Sequence, residues 1–406
     1  MKKVYRVLFV MGMIFLLSMN FEHQVKGATL GTITLKSNAP AYHLIDGQKV
    51  GVATLLKGMS YKVAGEDEKN YHIVFGNDVL SVAKSSAVLS EDQVKIATIN
   101  DISVATVITE KRTIVSHENK YIGFISKDVR VPVIEELKDT YVVNFGGLEG
   151  TVPKSDVKVD TGVPVLMYHH MVEGKMESPH ASNRMVIDVE QFKEEMRYLK
   201  KNGWHTISLQ ELQQWLLGNV NLPAKTVVIT FDDGITSTVK YAYPMLKDYG
   251  FKATSFTITG KIHQQAAPWD IKSFQYVGLK EIKETSDVFD YQHHAFYMHN
   301  LTPGTNMGQF VTKSYEEIYD DLEKGKTQLA KAFDHDTSNI KYLAYPFGHY
   351  NETTIQAAKA AGIEMAFTTK TGNVKMGDSF YELKRQGIAP EHTIKEFELK
   401  LLGEYK

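Results

Sequence analysis

Two adjacent carboxylates and a tight group of histidines are the residues of this 406-residue chain best able to do chemistry together. Asp232 and Asp233 follow directly on the apolar run Thr226 to Phe231 and precede Gly234. A continuous apolar strand is buried on both faces. The carboxyl end of such a strand is where α/β sheets and barrels carry their active sites. Neighbouring side chains point different ways, so one carboxylate can hold a metal while the other handles protons. The same residues also fit a plain turn whose Asp caps the next helix. His293, His294 and His299 fall within seven residues of a chain that has 15 histidines, where random placement would put about 0.3. His294 and His299 are five apart, a spacing that shares one face of neither a helix nor a strand. They converge only where the chain turns between them, as in a loop leading into a short helix. Beside a carboxylate, two neutral imidazoles make the donor set of a catalytic metal site with positions left for water and substrate. A group of surface histidines among aromatics is the other reading.

The elements that must position these residues lie in the second part of the chain. Strand-like runs at Pro164 to Tyr168, Thr226 to Phe231, Ala253 to Ile258, Tyr342 to Tyr345 and Met365 to Thr368 alternate with helical stretches. Gln191 to Asn202 sets Phe192, Met196 and Leu199 on one face and ends at Gly203; Thr353 to Ala361 ends at Gly362. This alternation predicts an α/β fold with a parallel sheet, read here as a barrel over 161–406.

Residues 28 to about 160 have a different texture, with short period-two segments separated by Gly, Asn and Asp. They also repeat. Tyr71, Phe75, Gly76, Val82, Lys84 and Ser85 correspond to Tyr141, Phe145, Gly146, Val152, Lys154 and Ser155, all at an offset of 70. Lys57 with Lys127 and Val63 with Val133 keep the same offset. Two tandem all-β modules, 28–93 and 97–160, are expected.

Basic residues Lys2, Lys3 and Arg6, then the apolar run Val7 to Met19, lay out a secretory signal peptide over 1–27. An uncleaved anchor is the alternative, although the run is shorter than the roughly 20 residues a bilayer span needs. The chain has no cysteine, which excludes disulfides, thiolate metal sites and a lipid anchor on cysteine. A net charge of −2 gives no footing to nucleic-acid binding. A monomer is expected.

The motifs together resemble a known family. Thr230-Phe231-Asp232-Asp233-Gly234 resembles the first motif of polysaccharide deacetylases with a NodB-type domain, carbohydrate esterase family 4. His294 to Leu301 resembles the second motif in its five-residue spacing, seen in poly-N-acetylglucosamine deacetylases, and Ala344 to Gly348 resembles the Pro-aromatic-Gly third motif. Val163 to Met171 and Ala242 to Gly260 are similar to the family too, so the likeness covers about 163 to 390. The two N-terminal modules resemble bacterial SH3-like modules found beside cell-wall enzymes. They are read as holding wall or glycan, or as a spacer without a ligand of its own.

The resemblance implies a distorted (β/α) barrel, a divalent metal on Asp233, His294 and His299, and Asp232 as the base. Zn²⁺ is the implied metal, with Co²⁺ or Ni²⁺ as alternatives. It implies the Phe347 N–H as an oxyanion donor, with Tyr345, Pro346 and His169 lining the same cleft. His293 receives no role. The implied function is removal of N-acetyl groups from N-acetylglucosamine units, with peptidoglycan favoured over poly-N-acetylglucosamine, by a secreted or wall-associated enzyme. Two features depart from the family pattern. Ala344 stands where many members carry an Arg that pairs with the base, and the late Leu-x-His motif that supplies an acid is missing, His392 having the wrong context. These departures leave open a wall-binding protein with a decayed esterase domain; O-acetyl ester hydrolysis is the third reading.

Overall fold

The computed structural model describes residues 31–45, 48–90 and 105–405. The expected export signal over 1–27 and the junction at 91–104 lie outside them. No helix among the described residues is long and apolar enough to cross a membrane.

The sequence repeat is a structural repeat. Strands Ser60–Glu66, Asn70–Phe75 and Asp78–Ala83 in the first unit answer to Arg130–Val133, Thr140–Phe145 and Leu148–Pro153 in the second. The two units are not separate beads, however. A twelve-stranded sheet runs through both of them. Gly123, Phe124 and Ile125 pair antiparallel with Leu55, Thr54 and Ala53. At the second join Phe145 pairs with Phe75, Gly76 N–H donates to Asn144 O at 2.9 Å, and Gly146 N–H donates to Val74 O at 2.7 Å. With the offset of 70, each bond is the image of the other. The units are therefore related by a local two-fold passing beside Phe75 and Phe145, an isologous contact made within one chain.

From Val163 onward the chain builds the α/β domain. Its strands are β1 (Val165–Tyr168), β2 (His205–Thr206), β3 (Thr226–Phe231), β4 (Ala253–Thr257), β5 (Phe289–His293), β6 (Tyr342–Ala344), β7 (Met365–Thr371) and β8 (Leu383–Gly387). All pair in parallel, and β1 pairs with both β3 and β8, so the sheet closes into a distorted barrel with the short β2 on its rim. Around it lie α1 (Val189–Lys201), α2 (Leu209–Leu216), α3 (Tyr243–Tyr249), α4 (Leu279–Thr285), α5 (Tyr315–Ala330), α6 (Glu352–Ala360) and α7 (Ile394–Leu401). As its unbroken apolar run requires, β3 is buried along its whole length. Helix α1 starts at an Asp188 cap and turns Val189, Phe192, Met196 and Leu199 inward; Gly203, at φ 70°, follows its end.

Both β-units dock on the segment that leads into β3. Arg130, buried and paired with Asp160, donates through Nη1 to Pro223 O at 2.8 Å. Asn221 donates through Nδ2 to Phe75 O at 2.6 Å and through its N–H to Asp78.

Candidate metal centre and active site

The turn after β3 splits the two carboxylates. Asp232 is 2% exposed and its N–H donates to Tyr168 O at 2.9 Å, which holds it against the end of β1. Asp233 takes φ 71° and Gly234 φ 70°, a left-handed pair that reverses the chain and presents Asp233 to the cleft. A side chain at Gly234 would run into Thr257 of β4, so glycine is required there twice over.

Asp233, His294 and His299 offer ligand atoms within 4.8 Å of one another. Asp233 Oδ1 lies 3.5 Å from His294 Nε2 and 3.3 Å from His299 Nε2, and the two Nε2 atoms are 3.1 Å apart. A tetrahedral site with bonds of about 2.05 Å has donor–donor edges of about 3.3 Å. The triangle fits. Three electron-pair donors this close repel unless a cation or proton stands between them, and the His294 tautomer favours the cation. Its Nδ1 donates to Ala344 O at 2.8 Å, which leaves Nε2 as the lone-pair nitrogen aimed at the cluster. Burial lowers His299 to about 4, so its imidazole is neutral above that. For Asp233 burial works towards a higher value, but the imidazoles of His294, His169 and His299 around it outweigh that and hold the carboxyl below its usual range.

The chain between the two histidines turns through Ala295 at φ 67° and runs on as an open loop. The short helix expected there is absent, because a single aspartate of α5 takes up the loop's N–H groups instead.

Sequence reasoning missed Arg385. On β8 it donates through Nη1 to Asp232 Oδ1 and through Nη2 to Asp232 Oδ2, each at 2.7 Å, with the guanidinium fully buried. Burial would raise Asp232, but Arg385 overrides it and holds the carboxyl low. The cation that Ala344 cannot supply thus arrives from another strand. The signal in the sequence was slight, a basic residue inside the short segment Leu383 to Gly387. Closure of the sheet brings that segment beside β1.

The remaining expected residues divide. His169 Nε2 lies 3.9 Å from Asp232 Oδ2, in the same cleft. Phe347 is 39% exposed, takes φ 60°, and has its ring 4.8 Å from that of His299. Tyr345 and Pro346 are buried, and the Tyr345 hydroxyl donates away to Tyr381 O at 3.1 Å. These two can shape the cleft only through the backbone they set. His293 is buried, and His392 packs against Tyr405 and Ala389 near α7, away from the carboxylates.

The family model for polysaccharide deacetylases matches residues 219–366, which include Asp232, Asp233, His294 and His299. The chain carries a polysaccharide deacetylase domain. A putative polysaccharide deacetylase, YxkH of Bacillus subtilis, is 28% identical to it over 230 residues, 56% of this chain and 72% of that protein. The poly-beta-1,6-N-acetyl-D-glucosamine N-deacetylase of Staphylococcus aureus is 28% identical over 213 residues, 51% of this chain and 70% of that one. The solved structure of the Streptococcus pyogenes deacetylase PplD in complex with acetate superposes with a TM-score of 0.50 at 27% identity. The superposition covers 59% of this chain and 97% of that one. The matched range 219–366 runs from the segment before β3 into β7 of the barrel. The β-units lie before it.

Proposed function

We propose that the chain is a secreted, divalent-metal-dependent hydrolase. It removes N-acetyl groups from N-acetylglucosamine units of a wall or extracellular polysaccharide. One observation carries the reading: the Asp233–His294–His299 triangle stands beside an Asp232 kept ionised by Arg385, in one cleft. A cation held by the triangle, zinc by its nitrogen-rich donors, supplies Lewis acidity towards a carbonyl and lowers the pKa of water.

The protein's own residues do the rest. Asp232, ionised by Arg385, accepts the proton of the attacking water. The Phe347 N–H, on a turn held at positive φ, donates to the oxyanion as the carbonyl becomes tetrahedral. His169 protonates the departing amine, so the C–N bond breaks to give acetate and a free glucosamine amino group. The geometry favours His169 for this part because it is the imidazole near Asp232 that lies outside the metal triangle. The tandem β-units, read as SH3-like, hold the polymer.

The staphylococcal relative supports poly-β-1,6-N-acetylglucosamine as substrate, and the paired β-units support peptidoglycan. Purified protein incubated with each polymer, with and without chelator, separates them by acetate release. Acetate release that survives chelation, or an Asp232→Asn variant as active as the parent, would sink the mechanism. The Arg385 pair removes one of the two grounds for a decayed site. Binding to sacculi with no acetate from either polymer would restore that reading.

A further inference from the structure

The loop that carries His299 borrows its order from a helix. An open loop leaves N–H groups that need partners. In this loop three consecutive ones go to a single side chain. Asp321 of α5 accepts from Phe296 N–H through Oδ2 at 2.7 Å, and through Oδ1 from Tyr297 N–H at 2.8 Å and Met298 N–H at 3.2 Å. Asp321 is 5% exposed, and no Lys or Arg forms an ion pair with it among the described residues. Its charge is answered by the loop backbone.

A second tie lies beside the first. His293 accepts from Ala295 N–H through Nδ1 at 2.9 Å, so its proton sits on Nε2, which donates to Leu322 O at 3.0 Å. Gly325, one turn further along α5, is what makes room for that ring, since a Cβ there would collide with His293 Nε2. Both ties therefore end on one turn of α5, and between them they fix Ala295, Phe296, Tyr297 and Met298. These are the four residues that separate the two histidines.

We propose that Asp321, assisted by His293, is the positioning residue of the metal centre. It sets the separation and approach of His294 and His299 without touching metal or substrate. The inference rests on Asp233, His294 and His299 being the metal ligands. It adds that affinity and coordination geometry are set from α5, because a loop ordered during folding has no ordering left to lose when the cation arrives.

The test uses the full chain, zinc affinity by competition with a chromogenic chelator, the visible spectrum of the cobalt form, and melting without metal. Asp321→Asn keeps the shape but has one acceptor oxygen where three N–H groups converge. It is expected to weaken zinc binding about 10- to 100-fold, the range for groups that orient metal ligands, and to alter the cobalt bands. His293→Gln is expected to shift affinity in the same direction by less. Ile318→Val, a core truncation on the same helix, serves as the control: it should lower the melting temperature and leave affinity and spectrum unchanged. The inference is overturned if Asp321→Asn and His293→Gln bind zinc as tightly as the parent with its cobalt spectrum. It is equally overturned if Ile318→Val weakens binding as much as they do. A parent chain that binds no zinc overturns the metal-site reading, and this inference with it.

Discussion

Arg385 and Asp232 meet as a two-pronged ion pair, Nη1 to Oδ1 and Nη2 to Oδ2, both at 2.7 Å, although 153 positions separate them in the chain. The pair spans the closure of the barrel, from β8 across to the end of β3. With Asp232 as the proposed base, the folding of the last strand becomes a condition for its ionisation.

Arg385→Met leaves Asp232 buried and unpaired. Because the guanidinium holds this carboxyl low, its removal lets burial push the value up. The base is then protonated over more of the acidic range, so the acid limb of the kcat/KM profile moves to higher pH. The broken pair also costs about 3–5 kcal/mol of stability. A pH–rate profile with an unmoved acid limb in a folded variant would refute the role.

His169→Gln is expected to lower kcat/KM about 100-fold or more on an N-acetylated glycan, with zinc content unchanged. An activated aryl acetate, whose leaving group needs no proton, should lose far less. Equal losses on both substrates would show that His169 does something other than protonate the amine.

Removing the metal should lower the melting temperature. A cation at 100 times its Kd adds about 2.7 kcal/mol to the folded state. Asp233→Asn and His299→Ala should erase the difference between metal-loaded and chelated protein in differential scanning calorimetry. A shift that persists in both variants would put the cation elsewhere.

Glu195, buried in α1, accepts from the Tyr168 hydroxyl at 2.6 Å and from Gln191 at 3.0 Å, with Glu194 and Lys400 also facing it. Burial raises it from 4.5 to about 7. Between those values the folded state keeps a proton that the unfolded chain has released. This contribution is therefore full below pH 4.5 and is lost as pH rises to about 7. Glu195→Gln should melt close to the parent at pH 5 and above it at pH 7.5, by a margin on the order of a few kcal/mol. Parallel melting curves at the two pH values would count against a protonated Glu195.

The chemistry-bearing strand ends were legible because their signals are local. Thr226 to Phe231 is one apolar run, and a run buried on both faces has to stop at its first charge. The two histidines of the triangle announced themselves by density, together with His293, which lies outside it. What stayed hidden was every partner chosen by closure. Arg385 sits in a five-residue strand with Lys384 beside it, and nothing local says which of the two turns inward. Asp321 lies in an amphipathic helix among other acidic residues, and only the packing of α5 on β5 reveals that it serves a loop. The repeat at offset 70 likewise identified two copies of one unit, but strand partners across a two-fold leave no periodicity to read.

That two-fold has a consequence in the order of events. The strand Gln48–Leu55 pairs with Ala39–Ile45 on one side, and on the other it waits for Lys120–Ile125, made some seventy residues later. During synthesis the first unit therefore carries an open edge whose natural complement is its own image. A chain ending at Ser90 would offer that edge to a second copy of itself, and sedimentation of such a fragment should find dimers. In the full chain the second unit arrives already tethered. The duplication thus acts as a built-in chaperone for its own first half.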